Sequence, residues 1–154
     1  MTQLLRPTIW IDGDGAPKAC KEMLFKASGR TGIAVVLVAN RAQRVPVTES
    51  VRFVQVSGGL DVADDYIAEN CQPGDLVITE DIPLAARVID AQGTVIRFRG
   101  ELLTEDNVDQ RLAKRNFLDE LRGGGVMTGG PPPYGPKDKQ RFAGALDRWL
   151  ARNR

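Results

Sequence analysis

The sequence contains no histidine. That excludes a Ser-His-Asp or Cys-His catalytic arrangement and any histidine-ligated metal. Its two cysteines, Cys20 and Cys71, are too few for a structural zinc site or a disulfide framework, and they read as reduced cytosolic thiols. No apolar run approaches the ~18 residues of a membrane helix, and the opening MTQLLRPT lacks a signal-peptide core, so the chain reads as cytoplasmic with no membrane partner. Aromatic residues make up only 6% of the chain, which leaves few rings to stack on bases. Charge-driven chemistry must come from Asp, Glu, Lys, Arg, hydroxyl groups or a bound ion.

What is present is ordinary in bulk: 154 residues, 42% hydrophobic and 27% charged, enough for one domain with a proper core. The net charge of +1 hides an asymmetry. Residues 1–96 carry 9 basic and 12 acidic side chains, whereas residues 110–154 carry 10 basic and 4 acidic. A basic tail of this size suits a nucleic-acid surface and a solvated helical face about equally.

Strand and helix patterns alternate over the first hundred residues. TIWID (8–12) and the β-branched run at 33–39 read as strands covered on both faces. Further strands are expected at 52–57, 76–79 and 94–98. Helices are expected at 18–27, ended by SGRTG, from about 61, over the segment that starts with Pro83 in its first turn and ends before Gly93, and from Thr104 as N-cap to about 122. That order predicts an α/β fold, a three-layer sandwich around a mostly parallel sheet. Residues 1–122 form this domain, 123–136 a mobile Gly/Pro-rich loop, and 137–154 a last amphipathic helix packed on the same domain through Phe142, Leu146, Trp149 and Leu150.

In an open parallel sheet, ligands collect beyond the carboxyl ends of the strands. Asp12 and Asp14 follow the first strand, and Glu80 and Asp81 follow LVIT. Asp61, Asp64 and Asp65, spaced i, i+3 and i+4, open a helix. Asp61 and Asp81 could be plain helix caps. Asp12 is harder to explain that way, because a carboxylate directly after Ile-Trp-Ile is partly desolvated and crowded by like charges. Mg²⁺ or Mn²⁺, which favour all-oxygen ligands, would relieve both costs. The acid set is therefore read as Asp12, Asp61, Asp64, Asp65 and Asp81, with Asp12, Asp64 and Asp81 as metal ligands. Asp14, Asn40, Thr79 and Lys18 would support them or, with the phosphate ester that the resemblances below imply, touch its phosphate, and Lys21, Arg41 or Arg44 could offset its charge. DGDG also resembles the first motif of haloacid-dehalogenase phosphatases. Against that, no lysine lies between Lys26 and Lys114, and the acidic pair Asp64-Asp65 comes before Thr79 rather than after it.

A wider set of motifs carries a second resemblance. IDGDGAP, VLVAN, VSGGLDVADDYIAENCQPGDLVITEDIPLA, RG…LTEDNV and GPKDKQRFAGALDRWL, in that order over about residues 8–150, resemble the bacterial YaiI/YqxD family. That family usually reads D-A-D-A-C-P at the first motif; here Gly13 and Gly15 replace the alanines and Ala16 replaces the cysteine. The family in turn is similar to PIN-like nucleases. The resemblance implies a PIN-like sandwich whose acids hold Mg²⁺ or Mn²⁺ for phosphodiester hydrolysis. Asp12 matches the first acid of that pattern, Asp81 the acid of T-x-D, and one or more of Asp61, Asp64 and Asp65 the acid that opens a middle helix. The expected partner is nucleic acid, RNA ahead of DNA, reached through Lys137, Lys139 and Arg141, with Tyr134 stacking on a base. A non-catalytic nucleic-acid- or protein-binding module on the same scaffold is the alternative, and the sequence admits a homo-oligomer as well as a monomer.

Overall fold

The computed structural model describes residues 6–125 and 129–153. Six strands, β1 (Thr8–Asp12), β2 (Ala34–Ala39), β3 (Val51–Gln55), β4 (Leu76–Ile78), β5 (Thr94–Ile96) and β6 (Leu102–Leu103), form one sheet in the order β3-β2-β1-β4-β5-β6. All pairs are parallel except β5 with β6. Helices α1 (Lys18–Thr31) and α5 (Pro136–Arg152) cover one face; α2 (Val62–Asn70), α3 (Ile82–Asp90) and α4 (Glu105–Gly123) cover the other. The result is the three-layer α/β/α sandwich that the alternation predicts.

The apolar strand runs follow from this layering. Ile9, Ile11, Val35 and Leu37 face α1 and α5, while Trp10, Val36 and Val38 between them face α2, α3 and α4. Successive strand side chains point to opposite faces, and both faces are dry, so no polar alternation remains. In α5, Phe142, Leu146, Trp149 and Leu150 are buried against Ile9, Ile11, Leu24 and Leu76. Each such side chain contributes about 1.5–3 kcal/mol on burial.

The chain departs from its sequence reading in three places. First, α1 runs through SGRT to Thr31, because the hydroxyls find local acceptors: Ser28 Oγ donates to the Ile33 carbonyl (2.6 Å) and Thr31 Oγ1 to the Ala27 carbonyl (2.8 Å). Gly32, at φ 77°, ends the helix. Second, β6 is an extra strand, antiparallel to β5 across a turn closed by Arg97 N–H to Glu101 O (2.8 Å). Gly100 in that turn has φ +95°, and a Cβ there would lie 2.6 Å from the Arg141 carbonyl carbon, so the turn is where α5 comes closest. Third, residues 129–135 are irregular but anchored: Arg99 donates to the Pro132 carbonyl, and Tyr134 Oη donates to the Phe98 carbonyl (2.9 Å). Residues 126–128 of the expected mobile loop lie outside the described residues.

Chain direction reverses at one point in the sheet. From β1 the chain moves outward to β2 and β3, then returns through α2 to β4 on the other side of β1. The carboxyl ends of β1 and β4 flank this switch point, the position where open α/β sheets form their ligand crevice.

Candidate carboxylate site

Asp12 closes β1, and Thr79 follows β4 beside it. Thr79 is fully buried. Its hydroxyl donates to Asp12 Oδ2 (2.8 Å) and accepts the Asp81 N–H (3.0 Å), so one side chain joins the two carboxylate positions. Asp81 Oδ1 accepts the Leu84 N–H (2.9 Å) and caps α3. Asp64, in the first turn of α2, faces the same edge, with its carboxyl close enough to Asp81, Asp12 and Asp61 for their charges to act on it.

The crowding shows in the acidities. Burial raises Asp12 above the ordinary carboxylate range, helped by Asp81 and Asp14 and opposed by the Thr79 hydrogen bond. Burial and the shared hydrogen bond with Asp81, reinforced by the charges of Asp81, Asp12 and Asp61, push Asp64 up to about 7. Among the described residues, no three Asp, Glu or Cys side chains stand as a preformed metal-holding group. The acids converge without forming a closed ligand cage.

This predicts how metal-free stability varies with pH. Asp64 has a folded pKa near 7, above its unfolded value, so the native state keeps a proton that the unfolded state releases. Its stabilising contribution is present below about pH 4 and is lost as pH rises toward 7. In EDTA at pH 8, Asp64→Asn is therefore expected to be more stable by about 1–2 kcal/mol after solvent screening, a melting temperature ~3–6 °C higher. Its own melt should vary less between pH 4 and 7. Equal melts at pH 8 would show that water already screens this carboxylate.

A small recess of about 140 Å³ opens beside the acids and is lined by Asp12, Asp14, Asn40, Ser57, Asp61 and Asp64, among others. Asp61 sits at the N-cap position of α2, but with φ 64° and no side-chain cap bond, so it faces the recess instead of closing the helix. Asp14 is exposed and holds the strand end: its carboxylate accepts the Asn40 N–H (2.9 Å) and the Arg41 N–H (3.3 Å). Asn40 thus acts through its backbone, with its side chain at the recess wall. Lys21 donates to Gln43 Oε1 (2.7 Å), Gln43 Nε2 donates to the Gly13 carbonyl, and burial lowers the lysine's pKa while nearby Asp14 raises it.

Several expected participants lie elsewhere. Asp65 pairs with Arg87 of α3 (2.7 Å), because its position on α2 points it across to the next helix rather than toward the strand ends. Asp65 therefore stands apart from the acids that gather at the strand ends. Lys18 points to solvent beside Glu22, its i+4 neighbour (3.9 Å). Glu80 turns away to Arg97 (3.0 Å) and the Phe98 N–H (2.7 Å). Tyr134 is tied to the Phe98 carbonyl and Cys20, and the Arg99 guanidinium lies 5.7 Å from its ring centroid, so its ring is not a free stacking platform. Lys137, Lys139 and Arg141 are exposed on α5 and line neither this recess nor the cleft beside Asp81.

The sequence did not flag that cleft. It has a volume of about 590 Å³ and lies between α4 and the β5–β6 turn, with Asp81 on its wall. No contiguous motif could have revealed it, because its cations come from separate stretches at 97–99 and 111–122.

The fold and site define a class: a three-layer α/β protein with a carboxylate cluster at the switch point of a parallel sheet. Within it, the chain belongs to the family described as "Uncharacterized BCR, YaiI/YqxD family", which matches residues 10–152. A UPF0178 protein of Xanthomonas campestris pv. campestris (strain 8004) is 53% identical over 144 residues, covering 94% of this chain and 90% of its own length. Another from Aeromonas hydrophila subsp. hydrophila is 51% identical over 146 residues (95% and 97%), and one from Desulfotalea psychrophila is 50% identical over 146 residues (95% and 99%). No helix among the described residues is long and apolar enough to cross a membrane.

Proposed function

We propose that the protein is a divalent-metal-dependent nuclease that hydrolyses phosphodiester bonds, in RNA ahead of DNA, at the edge formed by Asp12, Asp64 and Asp81. One observation carries this reading: β1, α2 and the β4–α3 junction deliver three carboxylates to the sheet's switch point, with the Thr79 hydroxyl linking the Asp12 carboxylate to the Asp81 backbone N–H. The donor set is all oxygen and rich in like charge, which fits Mg²⁺ or Mn²⁺ by donor type rather than by a ready-made cage. When bound at Asp12, Asp64 and Asp81, such an ion supplies polarisation of a phosphoryl oxygen and a more acidic water. Thr79 fixes the Asp12 carboxylate, α3 fixes Asp81, and Asp61 and Asp14 keep the surrounding recess negative. The PIN-like relationship is part of this proposal.

The test combines calorimetric titration of Mg²⁺ and Mn²⁺ into the metal-free protein with cleavage assays on single-stranded, hairpin and duplex RNA and DNA. The expected result is saturable heat and cleavage that EDTA abolishes. A rise in melting temperature with millimolar metal should accompany it, since a ligand of the native state stabilises by mass action. No heat, no melt shift and no cut product would end the reading. The non-catalytic binding module is the second reading, favoured by the lack of a preformed ligand group among the described residues. RNA that is bound but left intact in Mn²⁺ selects it.

A further inference from the structure

We propose that the cleft beside Asp81, rather than the exposed face of α5, holds the sugar–phosphate backbone of a single-stranded nucleic acid. The proposal takes its substrate class from the nuclease reading and assigns where that substrate lies. Six cations line the cleft: Arg97, Arg99, Arg111, Lys114, Arg115 and Arg122. Against them stand three carboxylates, Glu80, Asp81 and Glu101. The wall is therefore net positive, in a chain whose overall charge is +1.

The cations differ in how firmly they are held, and Arg99 is taken by Asp138 (2.8 Å) and the Pro132 carbonyl. Arg97 bridges Glu80 (3.0 Å) and Glu101 (2.9 Å), and Glu101 also takes Arg111 (2.6 Å). This chain of ion pairs fixes the part of the cleft beside the β5–β6 turn, and Arg97 Nε within it is buried without an acceptor. The outer wall on α4 is held more loosely. Lys114 has no carboxylate partner among the described residues. Arg115 meets Asp119 (3.3 Å) and the Asn116 side-chain carbonyl (3.3 Å), both exposed, and Asp119 also engages Arg122 (2.6 Å). Exposed pairs of this kind contribute about 0–1 kcal/mol, so a phosphate competes with them readily.

Position supplies the rest. Asp81 lies on the cleft wall, and the Thr79 hydroxyl that accepts its N–H also donates to Asp12, so a strand lying along the cations ends at the carboxylates. Ile82, Leu118 and Pro131 add apolar surface for sugar edges or a base, and arginine planes offer further stacking. A volume of about 590 Å³ takes a short stretch of one strand, not the width of a duplex. An acidic peptide would find the same cations, and the polyglutamate arm of the test below separates it from a nucleic acid.

The test uses the full chain in EDTA and a fluorescein-labelled single-stranded U12 RNA, with anisotropy measured from 50 to 300 mM KCl. Wild type is expected to bind with a clear salt dependence. Lys114→Glu/Arg115→Glu, at two exposed positions, should raise Kd about tenfold at 100 mM salt and flatten the log Kd–log salt slope by roughly 1.4. Lys137→Glu/Lys139→Glu on α5 should stay within about twofold of wild type. Melting curves equal to wild type confirm that both variants fold, and Lys114→Ala/Arg115→Ala should show a smaller loss in the same direction. The proposal is overturned if the α5 variant loses binding and the α4 variant keeps it, if both bind as wild type, if wild type binds no RNA, or if polyglutamate of equal charge binds as tightly. RNA held through the α4 cations yet never cut in Mn²⁺ supports the cleft and ends the nuclease reading alone. RNA cut at wild-type rate by the α4 variant at subsaturating concentration overturns the cleft alone.

Discussion

Asp12→Asn is expected to lower Mn²⁺-dependent cleavage of single-stranded RNA on the order of a thousandfold, the rate equivalent of several kcal/mol of lost charge stabilisation. Asparagine has the shape of aspartate, and its carbonyl can still accept from Thr79 Oγ1. What disappears is the negative charge at the end of β1. Burial and the charges of Asp81 and Asp14 already hold that carboxylate above its usual range, so the variant should melt no lower than wild type in EDTA. Activity and metal-free stability would then move in opposite directions, which a merely structural residue does not do. Asp81→Asn should behave similarly, because asparagine caps α3 about as well as aspartate. Thr79→Val tests the link between them: it leaves every carboxylate in place but removes the hydroxyl that Asp12 and the Asp81 N–H share. A loss of about ten- to a hundredfold is expected, in line with residues that orient a metal's ligands. Full Mn²⁺-dependent rates in Asp12→Asn would remove this carboxylate from the site.

The largest stability loss is expected at the other edge of the sheet, at Asp75. This carboxylate is buried at 4% exposure, just before β4. Its oxygens accept three donors: the Thr8 N–H (2.9 Å), the Trp10 indole N–H (3.0 Å) and the Gln72 N–H (2.8 Å). The backbone of Asp75 also pairs, its carbonyl with the Thr94 N–H (2.9 Å). Asp75 thus ties the starts of β1, β4 and β5 together. Asp75→Ala would leave these donors without acceptors and open a cavity against Trp10, costing about 3–5 kcal/mol. For a chain of this length that is a fall in melting temperature of roughly 6–20 °C. Asp75→Asn, which keeps one good acceptor, should lose less. Thermal melts followed by circular dichroism check both, and a change of under 1 kcal/mol in Asp75→Ala would show that water replaces the carboxylate.

The two carboxylates show why the sequence is readable at one edge of the sheet and opaque at the other. Asp12 and Asp81 each follow an apolar strand, and the ends of parallel strands are where ligands gather, so their placement alone marks them. Asp75 precedes a strand after Pro73-Gly74 and looks like a turn residue; its three partners appear only when β1 is laid beside β4. Asp64 and Asp65 are adjacent and both fit one helix face from Asp61. Only the arrival of Arg87 on α3 decides that Asp65 turns outward. The runs at β1 and β2 were legible because burial on both faces makes every position apolar. The two residues of β6 were not, since a pair is too short to show any period. The Cys20–Tyr134 contact joins residues 114 positions apart, and local pattern cannot supply a contact of that range.

The docking of α5 on β1 also shapes how the molecule assembles. Phe142, Leu146 and Trp149 cover Ile9 and Ile11, about 130 positions earlier in the chain. Closing so long a loop costs entropy before the contact repays it, and folding rates fall as contacts become more distant in sequence. The part of that face which α1 leaves open is therefore covered only once this helix returns, while α1 itself and the helices of the other face dock from nearer segments. Seen in time rather than space, Trp149 sits in the layer expected to close late and Trp10 in the opposite one, so single-tryptophan variants followed in refolding would check that order.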